Sequence, residues 1–104
     1  AIHLYVVSVA NEATIKITDQ AEDYSPSWGP DGKLIVFLND PGMGYDPTLI
    51  MTNENNDCQQ KLLTLDDWSG LSWSPEGGHI AFVSHGEVYL LALNKFPAYE
   101  SVCP

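Results

Sequence analysis

The chain has no arginine, and its four lysines face fourteen acidic residues, which leaves a formal net charge of −10 at neutral pH. So little positive charge provides no basic surface to neutralise nucleic-acid phosphates or an anionic bilayer, and nucleic acid is excluded as a partner class. Long apolar runs are missing as well. None approaches the about 18 residues of a membrane-spanning helix, and no charged stretch leading into an apolar core opens the chain, so membrane insertion is not expected. Cysteine is scarce: Cys58 and Cys103 stand far apart, neither in a Cys-x-x-Cys pair, which removes zinc-ribbon and thioredoxin-like readings. The two are either a disulfide or bystanders. What is present, 44% hydrophobic and 17% charged residues over 104 positions, suits one soluble globular domain with a modest core. The acidic balance and the missing arginine are compatible with an exported protein.

Helical periodicity is equally hard to find. Apolar residues come in short runs punctuated by Gly, Pro, Asn and Asp, which is the pattern of an all-β chain. The runs are Leu4 to Val9, Thr14 to Ile17, Leu34 to Leu38, Leu49 to Met51, Leu62 to Leu65, Ile80 to Val83 and Val88 to Leu93. Several are rich in β-branched or aromatic residues, and shorter stretches around Trp28 and Trp73 bring the expected strands to nine.

The chain repeats itself. Ser27-Trp28-Gly29-Pro30-Asp31-Gly32 precedes the run Leu34 to Leu38, and 45 residues later Ser72-Trp73-Ser74-Pro75-Glu76-Gly77 precedes Ile80-Ala81-Phe82-Val83. Leu4-Tyr5-Val6-Val7 answers in turn to Leu49-Ile50-Met51-Thr52 and to Val88-Tyr89-Leu90-Leu91, and Ile17-Thr18-Asp19 to Leu63-Thr64-Leu65-Asp66. A period of this length with four strands per unit is what a propeller blade requires. In each turn a Pro of fixed φ precedes a Gly able to take positive φ, which sets a tight reversal between first and second strands. Leu34 to Leu38 is apolar at every position, Phe37 included, so both of its faces must be covered by other sheets. Trp28, Trp73 and Phe82 are expected to fill the contacts between neighbouring blades.

These residues resemble the TolB-type β-propeller repeat, a WD-like blade marked by a Ser-x-x-Trp-Ser-Pro-Asp-Gly turn and an Ile-Ala-Phe strand. Ser25 to Gly32 and Gly70 to Gly77 match the turn, and Ile80-Ala81-Phe82 matches the strand. Three departures stand out: Gly29 for Ser, Gly70 for the leading Ser, and Glu76 with an extra Gly78 for Asp-Gly-Lys. The resemblance implies a propeller, commonly of six or more blades, found often in exported or periplasmic proteins, where it binds partners or supports an attached enzyme domain. On that frame residues 1–19 are third and fourth strands of an incomplete blade, and 20–67 are a complete blade. Residues 68–95 are the first three strands of the next, and 96–104 are an irregular tail. Cys58 then falls between third and fourth strands of one blade and Cys103 after the third strand of the next. The repeat puts both on one rim and predicts a Cys58–Cys103 disulfide.

No residue set calls for catalysis, and no cofactor or metal is implied. Ser84-His85-Gly86 reads as a turn, without a Gly-x-Ser-x-Gly elbow. Gly42-Met43-Gly44 lacks the strand-to-helix setting of a phosphate loop. Asn53-Glu54-Asn55-Asn56-Asp57 spaces oxygens as a calcium loop does but lacks the following Gly and the twelfth-position Glu, so a hairpin turn explains it better. His3, His79 and His85 are not at ligand spacing along one strand. Among the aromatic residues, Tyr5 and Tyr89 fit blade packing, whereas Tyr45 and Trp68 fall in loop-like stretches and are the candidates for partner contact. The expected role is a non-catalytic structural and protein-interaction module that self-associates into a ring or larger assembly, including a filament. The alternative is a section of a longer exported propeller of the same type.

Overall fold

The computed structural model describes residues 2–16 and 22–103. Nine strands occur among them: β1 (Tyr5–Val7), β2 (Thr14–Lys16), β3 (Glu22–Trp28), β4 (Leu34–Asp40), β5 (Thr48–Asn53), β6 (Gln59–Thr64), β7 (Ser69–Trp73), β8 (His79–Ser84) and β9 (Glu87–Ala92). They form three antiparallel meanders, β1-β2, β3-β4-β5-β6 and β7-β8-β9, so each strand pairs with its neighbour in sequence. The chain is therefore all-β, built as a partial propeller. The continuation of β2 through Ile17, Thr18 and Asp19, and the division expected at residues 19 and 20, lie outside the described residues.

The uninterrupted apolar run of β4 sits between two sheets, as its composition demands. Val36 and Leu38 join Leu49, Met51, Leu62 and Ile80 in one core cluster toward the last sheet. Phe37 packs with Ile50 and Leu4 in a second cluster toward the first. The reversal into β4 is closed by Gly32 N–H donating to Gly29 C=O at 3.1 Å, with Gly32 at φ +72°. Gly77 N–H donates to Ser74 C=O at 2.9 Å with Gly77 at φ +86°, so the two turns are the same hairpin. Asp31 Oδ1 accepts from Lys33 N–H in the first turn. In the second, the Ser74 hydroxyl accepts from His79 N–H and donates to Glu76.

Gly70 has a physical reason. The pairing of β7 with β8 shifts register between Ser69 and Leu71, and that of β3 with β4 between Tyr24 and Ser27. Gly70 at φ +71° and Ser25 at φ +57° are the equivalent bulged residues. The left-handed backbone there suits glycine better than serine, so Gly70 is the less strained version of the position.

Beyond β9 the chain is more ordered than an irregular tail. A 3-10 turn spans Leu93–Lys95 and a one-turn helix, α1, spans Tyr99–Val102. The segment crosses back to the middle sheet: Gln60 Nε2 donates to Pro97 C=O, and the buried Tyr99 hydroxyl donates to Cys58 C=O at 2.6 Å. Cys58 and Cys103 are joined in the expected disulfide, with Cα atoms 5.5 Å apart.

Candidate functional site

The joint between the middle and last sheets shows how these sheets recognise one another. Trp73, half-buried, donates its Nε1–H to Gly77 C=O and lays its ring over the middle sheet's turn. A Cβ at Gly29 would come 3.3 Å from that ring, so the missing side chain makes room for the indole. A Cβ at Gly77 would likewise meet the Pro30 ring at 3.3 Å. Phe82 is buried beside it, 4.8 Å from the Trp68 ring and stacked on Tyr89 at 5.6 Å.

Trp68 is thereby corrected from a contact residue to a packing one. Its Nε1–H donates to Pro47 C=O at 3.2 Å, and its ring closes on Phe82. Tyr45 does stand in an exposed loop, together with Met43. Trp28 is the second correction: read as buried inter-blade packing, it is 48% exposed. On its side of the stack only β1 and β2 are present among the described residues, so no turn equivalent to Gly29-Pro30 lies over the indole. Tyr5 is exposed for the same reason.

The far face of the last sheet is open. In the middle sheet Val36 pairs with Met51 and Leu38 with Leu49, and all four are buried. In the last sheet the equivalent pairs are Ala81 with Leu90 and Val83 with Val88. There Val88 is 73% and Leu90 70% exposed. Sequence reasoning missed this face because the same positions are core one repeat earlier. Shape and register are unchanged, and only the covering sheet is absent.

At the other end, a cleft of about 410 Å³ runs between the edge of β1 and the start of the middle sheet. Ile2 to Val6 line one side, and Asp23 to Pro26, Trp28 and Ile35 the other. Asp23 is 1% exposed; its Oδ1 accepts from Asn39 Nδ2 at 2.7 Å, while Oδ2 has no partner. His3 Nδ1 is also buried without a partner. A single Asp beside the apolar strand pattern was the only sequence signal for this place.

His85 does not address Ser84. Its Nε2 lies 2.8 Å from Asp66 Oδ1 and its backbone N–H donates to Asp67, which ties the β8–β9 turn, where His85 sits at φ +50°, to the link between sheets. The hydrogen bond to Asp66, followed by the attraction of its charge, holds His85 above its ordinary value of 6.5, and the same bond lowers Asp66 below 3.8. The His85 contribution is complete below its unfolded value and is lost as pH rises through its raised value. That of Asp66 is present above its unfolded value and is lost as pH falls through the lowered one. Both side chains are exposed, so the tie is screened and small. In an NMR titration, Asp66→Asn is expected to move the His85 midpoint down. An unchanged midpoint contradicts the pairing.

The oxygens of the 53–57 loop serve the loop itself. Asn53 Oδ1 accepts from Asn55 and Asp57 N–H, and Thr52 and Gln59 donate to Asn56 Oδ1. Among the described residues no three His, Cys, Asp or Glu side chains gather as metal ligands.

No protein-family model matches the chain, and no curated protein matches its sequence. The crystal structure of TolB from Acinetobacter baumannii is similar in fold, with a TM-score of 0.77 over 89% of this chain at 20% identity. The chain spans 24% of the length of that one.

Proposed function

We propose that the chain is a non-catalytic structural and protein-interaction section of a β-propeller that self-associates through the open face of its last sheet. The observation that supports this is the exposure of Val88 and Leu90 at positions whose equivalents, Leu49 and Met51, are buried. A contiguous apolar face of this kind on a sheet marks an interaction surface. Repeat architectures stack or cap such faces for the same reason. Two copies meeting face to face close as a dimer, whereas head-to-tail stacking builds a ring or a filament. The Cys58–Cys103 disulfide favours an oxidising compartment, extracellular or periplasmic.

Light scattering at micromolar concentration tests the reading. The chain is expected to run above monomer mass, and Leu90→Lys with Val88→Lys to return it to monomer with unchanged circular dichroism. A folded, monodisperse wild-type monomer overturns self-association. A second reading is favoured by the 24% span of the TolB chain. In it the next blade of a longer exported propeller covers the same face, and that propeller binds a protein partner or supports a hydrolase domain. The mass of the native polypeptide under denaturing, reducing conditions separates the two.

A further inference from the structure

We propose that the cleft beside β1 is an acceptor site for a two-stranded β-hairpin of a partner chain, one whose turn is of the Gly-Pro-acid-Gly kind seen between β3 and β4. The inference rests on the reading of this chain as an open-ended propeller section, but concerns the end opposite to the face of Val88 and Leu90.

The occupant is identified by the joint already filled within the chain. There Trp73 lies over Gly29 and Gly77 meets Pro30, so the tryptophan of one sheet reads the turn of the sheet before it. Trp28 is the same residue one repeat earlier, and its indole is uncovered. The backbone of the same joint is already in place: Asp23 N–H donates to Ile2 C=O at 2.8 Å, where Trp68 one repeat later bonds Pro47. What the joint lacks is a turn under Trp28 and two strands to carry it.

The sheet edge asks for the same ligand. The third strand of the middle sheet, β5, is paired on both sides, by β4 and β6, whereas β1 is paired only with β2 among the described residues. An edge of this kind pairs with an added strand. The cleft along it is about 410 Å³, and two polar atoms at its wall, Asp23 Oδ2 and His3 Nδ1, are buried without partners. Unpaired buried acceptors are costly, and a strand laid along the cleft brings backbone N–H groups within reach of them. A lone apolar side chain would fill the volume and leave both atoms unanswered.

The test uses the full ¹⁵N-labelled chain and a backbone-cyclised peptide of residues 69–84, whose own hairpin pairing is verified first. Saturable binding is expected, with shifts at the Trp28 indole N–H and the amides of β1. Trp28→Ala, at an exposed site where the fold is not at stake, is expected to weaken it at least about tenfold. A peptide carrying Gly77→Val, unable to form the turn, is expected not to bind. A second arm fuses residues 69–84 ahead of Ile2 through a flexible linker and reads amide exchange in β1, which is expected to slow. Absence of binding together with unchanged exchange in the fusion overturns the proposal. Shifts confined to β9 overturn it too, because they place the acceptor at the other end. Association of the chain with itself that Trp28→Ala abolishes, with no response to the peptide, overturns it in favour of a second copy as occupant. Val88→Lys and Leu90→Lys leave peptide binding unchanged, so failure here is distinguishable from failure of self-association.

Discussion

Phe37→Ala is expected to lower the stability of the chain by about 3–5 kcal/mol, the range for removing a fully buried aromatic side chain and leaving its cavity. The ring has no exposed surface and sits in the strand covered on both sides, between Leu4 and Ile50, where sheets on either side limit collapse of the void. Trp73→Ala and Phe82→Ala belong to the same class, because Trp73 sits in the turn of the middle sheet and Phe82 lies under Trp68 and Tyr89. Trp28→Ala, the same motif residue on the open side, is expected to stay within about 1 kcal/mol. Chemical denaturation of the four variants checks this. Equal losses at Trp28 and Trp73 would show that the neighbouring sheet is not what makes the difference.

Replacing both cysteines by serine is expected to cost about 4 kcal/mol, from the loop-closure entropy of a cross-link spanning 45 residues. The bond holds more than two sulfurs. The Tyr99 hydroxyl on Cys58 C=O and the Gln60 amide on Pro97 C=O both depend on the returning segment staying against the middle sheet. The double variant is therefore expected to lose the burial of Tyr99 before the sheets melt, seen as earlier tyrosine exposure in a denaturant titration. Native material is expected to show no free thiol under denaturing, non-reducing conditions. Coincident midpoints for wild type and double variant would remove the disulfide from the account of stability.

Much of the architecture was legible because the physical demands recur in the sequence. Leu34 to Leu38 has no polar alternate position, so a sheet had to lie on each side of it. Pro30-Asp31-Gly32 and Pro75-Glu76-Gly77 announce the same turn twice. The pairing of Cys58 with Cys103 followed from their places in the repeat. What periodicity does not carry is which copy of a repeat has a neighbour. Trp28 and Trp73 are indistinguishable in local sequence, as are Leu49 and Val88, and their burial differs only through what lies against them. Trp68 misled for another reason: it sits in a link between strands, where no period marks a face, and only the ring of Phe82 reveals that it points inward. The tail was opaque because the contacts of Tyr99 are made to residues some forty positions earlier.

The seating of Trp73 over Gly29 has a consequence for angle. Two sheets joined through an indole resting on a side-chain-free backbone are held at a rotation set by the thickness of that ring at one end of the strands. Small side chains elsewhere in the interface follow from it. Each further sheet added through the same pair of residues repeats the same rotation. The pitch of the stack, and with it the number of sheets after which it meets its own beginning, is thus written into one position per repeat. A larger residue at Gly29 would act as a wedge, opening the angle of every sheet that follows while leaving each sheet itself intact.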